Sequence, residues 1–73
     1  MVNAKKLKAR MIISGHTQKS LVAELESIGV HMSENTLSAK MRGKSQFFVD
    51  EAVAICDILQ ITNGAEKAEI FLP

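Results

Sequence analysis

Three times along this chain a hydrogen-bonding cap residue is followed by an apolar repeat of helical period and then by a glycine. Asn3 precedes Ala4, Leu7 and Met11, and Gly15 follows. Thr17 precedes Leu21, Val22, Leu25 and Ile28, and Gly29 follows. Ser33 precedes Leu37 and Met41, and Gly43 follows. Asn, Thr and Ser side chains accept from the free N–H groups that open a helix, and glycine takes the left-handed conformation that commonly closes one. The spacing therefore predicts helices over 3–14, 17–28 and 33–42.

A fourth helix is expected over 49–61, with Val49, Ala52, Ile55, Cys56 and Leu59 inward and Asp50 and Glu51 in a first turn that favours negative charge. Asn63, with Glu66 three residues on, reads as a capping-box start for a fifth helix over 64–71. No stretch alternates with the two-residue period of a half-buried strand. The expectation is an all-α fold: one domain, a compact bundle of five short helices. At 73 residues the core is small, because a chain of this size buries only about 60% of the surface its unfolded form exposes.

Several function classes drop out. The single cysteine, Cys56, excludes an internal disulfide framework. No apolar run approaches the roughly 18 residues of a membrane span, and the N-terminus lacks the apolar core of a signal peptide, so a cytoplasmic protein is expected. His16 and His31 fall in connectors, far in sequence from Cys56, and form no zinc spacing pattern. Nothing places a base beside the cysteine, and there is no phosphate-cradling glycine loop or carboxylate pair at a defined spacing. Neither catalysis nor a cofactor or metal is expected.

Charge is distributed unevenly. Residues 1–46 hold eight Lys and Arg against three Glu, a net of +5, whereas residues 47–73 hold one Lys against five carboxylates, a net of −4. Such asymmetry suggests a basic face for a polyanion and another face for water or a protein partner.

The third helix is unusual in burying only a narrow stripe. At roughly 100° per residue, Leu37 and Met41 point one way, while Asn35, Ala39 and Arg42 point nearly opposite, with Thr36 and Ser38 on the flanks. A helix with small and hydrogen-bonding residues facing outward is suited to lie against something polar.

Thr17-Gln18-x-x-Leu21-Val22, then Gly29-Val30, then Ser33-x-x-Thr36-Leu37-Ser38-x-x-Met41-x-Gly43-Lys44 resembles the helix–turn–helix of the lambda-repressor-like family, which includes phage Cro and repressor proteins. Phe47-x-Val49-x-Glu51-x-x-x-Ile55-x-x-x-Leu59 resembles its fourth helix, so the likeness spans nearly the whole chain. One departure stands out. The family usually passes from the helix-two leucine directly to Gly-Val-Ser, whereas here Glu26-Ser27-Ile28 intervene after Leu25 and His31-Met32 before Ser33. About one extra turn and a longer connector must be accommodated.

The resemblance implies that the third helix enters a DNA major groove and that its N-terminal residues reach base edges. Asn35 can then pair bidentately with adenine, a contact that discriminates by about 1–3 kcal/mol. Ser38 is an adaptable partner, Ala39 allows close approach or touches a thymine methyl, Arg42 takes guanine or a phosphate, and Glu34 accepts from cytosine. Thr17, Gln18, Lys19, Thr36, Lys40, Gly43 and Lys44 are the candidate phosphate contacts, which position such a helix without reading sequence.

The implied function is a small phage- or prophage-type regulator that acts by occupying a double-stranded DNA operator. A homodimer through the C-terminal segment with Phe71 and Leu72 would add contacts; alternatively that segment folds back to complete the core. The rival function is a helix–turn–helix scaffold for protein contact, antirepressor-like or antitoxin-like.

Overall fold

In the computed structural model, which describes residues 2–73, each expected cap side chain is engaged. Asn3 accepts from the Lys6 N–H at 3.2 Å, Thr17 from Ser20 at 3.1 Å and Ser33 from Thr36 at 3.0 Å. Asn63 accepts from Ala65 and Glu66 at 2.8 and 3.1 Å. Five helices follow: α1 Ala4–Ile13, α2 Gln18–Ser27, α3 Glu34–Met41, α4 Val49–Ile58 and α5 Gly64–Phe71. There is no strand among the described residues. The fold is all-α.

Four of the helices end in the same way. After α1, α2 and α3, Gly15, Gly29 and Gly43 adopt φ values of +74°, +86° and +78°. The following residue donates back to the last turn: His16 N–H to Met11 O at 2.8 Å, Val30 to Leu25 at 2.9 Å and Lys44 to Ala39 at 3.0 Å. These are Schellman motifs, in which paired N–H groups satisfy the orphan carbonyls of the helix end. α4 closes identically, Ile61 N–H to Cys56 O at 2.8 Å, but with Gln60 at φ +58° in the glycine position.

This turn corrects the expected extent of the fourth helix. It stops at Ile58 rather than at Ile61, and Ile61, 2% exposed, is buried from beyond the turn. Burial of Ile61 and two hydrogen bonds from Arg10 of α1, to Leu59 O at 3.4 Å and Gln60 O at 3.2 Å, hold the strained residue in place. The Arg10 cation sits where the helix dipole is negative. Its Nε also lies 3.5 Å from a Glu66 carboxylate oxygen, so the expected reciprocal cap by Glu66 gives way to an ion pair with α1.

α2 is the centre of the packing, lying against both α3 and α4, while α1 packs on α5. Leu7, Leu21, Leu25, Leu37, Ile55, Leu59, Ile61 and Ile70 are all fully buried. Two expected inward positions are exposed. Ile28 is outside α2, which ends at Ser27, and the turn at Gly29 leaves it exposed. Val49 starts α4, and with Val53 one turn on it lies on an exposed face, because Glu51, Ala54, Ile55 and Leu59 face the core instead.

Left-handed backbone costs a residue with a Cβ about 1 kcal/mol relative to glycine. Gln60→Gly is therefore expected to raise unfolding free energy by about 1 kcal/mol. Gly29→Ala should lower it by about as much, since an added Cβ there meets nothing within 4 Å and the cost is in the backbone alone. Urea denaturation with unchanged m-values checks both.

Candidate nucleic-acid interface

α3 turns Leu37 and Met41 into the core and presents its opposite side to solvent. Asn35 and Arg42 are exposed there, Ser38 and Ala39 are half-buried, and Glu34 is exposed in the first turn. Arg42 Nη1 donates to Ser38 Oγ at 2.6 Å, so the guanidinium is held back against the helix face rather than extended freely. Thr36 is exposed, and its hydroxyl oxygen accepts from Ser33 Oγ at 2.9 Å. The structure thus gathers four of the five candidate base-contacting residues, Asn35, Ser38, Ala39 and Arg42, on the outer side of α3, and sets Glu34 apart at the edge of the buried stripe, on the flank next to Met41.

Two of the candidate phosphate contacts are placed otherwise. Lys40 is 5% exposed, its ammonium 2.5 Å from Glu51 Oε1 and 4.3 Å from the centre of the Phe48 ring. It points between α3 and α4 and presents no charge to solvent. The reason is its place on the helix: three residues after Leu37 and next to Met41, it lies at the edge of the buried stripe. Glu51 is likewise buried and also accepts from the Phe48 N–H at 2.9 Å, closing the N-terminus of α4. The sequence signalled this pairing of Glu51 only through its position three residues after Phe48, where a capping carboxylate belongs.

Gly43 is the second. Its N–H donates to Lys40 O at 3.1 Å within the closing turn and is not free for an anion. Lys19 and Lys44 are exposed, and Gln18 is half-buried at the start of α2, where backbone N–H groups lack intrahelical partners. Thr17 is occupied in a reciprocal cap with Ser20, whose Oγ accepts from the Thr17 N–H at 2.9 Å.

The electrostatic split in the sequence is partly consumed inside the fold. Lys6 pairs with Glu69, Arg10 with Glu66 and Lys40 with Glu51, each joining the basic part of the chain to the acidic part. Lys5, Lys8, Lys19, Arg42 and Lys44 are the basic residues of that half without a carboxylate partner among the described residues, and all five are exposed.

On another side, Phe48, Val49, Val53 and Leu72 stay exposed around an open apolar groove of about 580 Å³, with Cys56 also lining it. Phe71 folds back, its ring edge-on to Phe47 at 5.4 Å between centroids, whereas Leu72 is 80% exposed. Burial pushes the Cys56 thiol above its ordinary pKa, with the Lys67 charge partly opposing, so the sulfur is protonated at neutral pH. No three His, Cys, Asp or Glu side chains among the described residues converge as metal ligands, and no described helix is long and apolar enough to cross a membrane.

Removing the Lys40 ammonium would leave the Glu51 carboxylate buried and uncompensated. Lys40→Met is expected to cost about 3 kcal/mol, the range for breaking one side of a buried pair, against less than about 0.5 kcal/mol for Lys44→Met on the surface. Chemical denaturation of the two variants checks the contrast.

No family model, curated protein or solved structure matches the chain.

Proposed function

We propose that this chain is a sequence-specific DNA-binding regulator, acting by occupancy of a double-stranded operator. The observation that carries this is the outer side of α3, where exposed Asn35 and Arg42 lie together with half-buried Ser38 and Ala39 on a short helix whose other side is anchored in the core. Asn35 reads adenine, Ala39 admits close approach, and Arg42, braced by Ser38, takes guanine or an adjoining phosphate. Lys19 and Lys44, with the open N–H groups at the start of α2, supply backbone contacts that set the register.

A single short helix makes few base contacts, so two copies on half-sites about one helical turn apart would raise affinity. The exposed side chains suited to self-association are Phe48, Val49, Val53 and Leu72, since Phe71 is turned inward. Asp50 flanks Val49 and Val53 on α4, and Lys67 lines the same groove from α5. A two-fold arrangement would set opposite charges against each other around an apolar centre. The same groove supports the second reading, a scaffold for a different protein, which would leave α3 without a duplex.

Equilibrium binding to random and selected duplexes across a salt series separates these functions. DNA binding through several phosphates gives affinity that falls steeply with salt. Asn35→Ala relaxes sequence preference by about 1–3 kcal/mol at one base pair, whereas Lys44→Ala weakens all sequences alike and lowers the salt slope by about one. Absent or salt-insensitive binding to every duplex would overturn the DNA function in favour of the scaffold.

Self-association is checked by sedimentation equilibrium. The wild type should dimerise at micromolar concentration and Val53→Asp should be monomeric with unchanged helical circular dichroism. Wild-type protein that is monomeric throughout would remove the second copy from the mechanism.

A further inference from the structure

We infer that Lys40 is a positioning residue: through Glu51 it fixes how far α3 is rotated about its own axis, and therefore which side chains of its outer face meet a duplex. The inference rests on the DNA-binding function proposed above. Apart from Lys40, α3 is held by two buried side chains, Leu37 and Met41, one turn apart. Two apolar contacts on one stripe resist separation but resist rolling weakly, and methionine adapts its shape to irregular surroundings.

Lys40 lies to one side of that stripe and is held directionally. Its ammonium is 2.5 Å from Glu51 Oε1, and that oxygen is itself fixed by the Phe48 N–H at 2.9 Å. The Phe48 ring closes over the same ammonium at 4.3 Å. An atom about 5 Å from a helix axis moves about 2 Å when the helix rolls by roughly 20°, which is enough to break a hydrogen bond. The same roll carries the tips of Asn35 and Arg42 through a similar distance on the opposite side. A buried ion pair is a poor device for stability, since well-packed apolar residues usually serve as well. Fixing one setting of two helices is what its directionality supplies.

The test is the double variant Lys40→Met/Glu51→Gln, in which residue 51 keeps an acceptor for the Phe48 N–H. It should fold, with a urea midpoint above that of Lys40→Met alone. Its affinity for a duplex selected by the wild type should fall at least ten-fold with the salt slope unchanged, because no phosphate contact is lost. Unchanged affinity would overturn the positioning role. A slope lower by about one would also overturn it, by showing that Lys40 reaches a phosphate.

If the wild type binds no duplex, the parent function fails, and the rotation is then read from the protein alone. Amide chemical shifts across Asn35–Arg42 should move in the double variant while those of α1 and α5 stay; unmoved shifts would overturn the inference. Should the double variant unfold, Lys40→Arg, which keeps the positive charge but not the length and shape that fit Glu51 Oε1, is measured by the same criteria.

Discussion

A lysine ammonium buried between two helices is tolerable only if its charge is met at close range, and in this small fold it is met by the carboxylate of Glu51 and the face of Phe48. Both partners are contributed by the first turn of α4 or the residue before it. The consequence reaches beyond one contact. α3 and α4 are separated by a polar loop with few apolar side chains of its own, and α2 is the helix on which both chiefly pack. Lys40 is thus a direct tie between them, while the Glu51–Phe48 hydrogen bond makes the start of α4 part of the same unit. Loss of one partner would expose the other to the full penalty of an unpaired buried charge.

The three cross-chain ion pairs also redefine what the charge asymmetry means. Read linearly, the basic segment looks like a continuous surface for a polyanion. Folded, Lys6, Arg10 and Lys40 face carboxylates of α4 and α5, so part of the asymmetry is complementarity within the molecule. The exposed Lys6–Glu69 pair contributes little, typically below about 1 kcal/mol, but with the half-buried Arg10–Glu66 pair it holds α5 against α1 alongside the 2.6 Å hydrogen bond from Asn3 N–H to Ile70 O. What remains unpaired and exposed among the described basic residues of that half is a smaller set, Lys5 and Lys8 on α1, Lys19 at the start of α2, and Arg42 and Lys44 at the end of α3. Under the proposed function, affinity for a duplex would then depend on base contacts and on a second copy more than on charge alone.

Helix starts and three of the four left-handed stops were legible in the sequence because capping is local: a side chain within three residues of the helix end decides it. The stop at Gln60 was not legible. Nothing in its own chemistry calls for positive φ, and it is imposed from a distance by Arg10 and by burial of Ile61. The exposed face of α3 could be read from periodicity, but Lys40 could not be assigned correctly by residue type. A lysine beside a buried stripe is solvated or paired according to what the neighbouring helix offers, and Glu51 is eleven residues away. Val49 failed for a related reason: the apolar residues of α4 outnumber those its packing partners can cover, and periodicity alone does not choose among them.

The residues between α2 and α3 bear on how the outer face of α3 is aimed. Six positions, Ile28–Ser33, separate the two helices, longer than a tight helix–turn–helix connection. Length alone would imply slack, yet the segment is held at several points. The Schellman turn fixes its exit through Val30 N–H to Leu25 O, Met32 is buried in the core at 9% exposure, and Ser33 is locked onto the first turn of α3. A loop fixed at its beginning, near its end and at the cap has little freedom to change the angle between the helices it joins. The long connector therefore places α3 without loosening it, and the rotation of α3 is left to Leu37, Met41 and Lys40. Under the proposed function, a duplex would meet a face of α3 whose placement is set by buried contacts on its far side, not by the turn that leads into it.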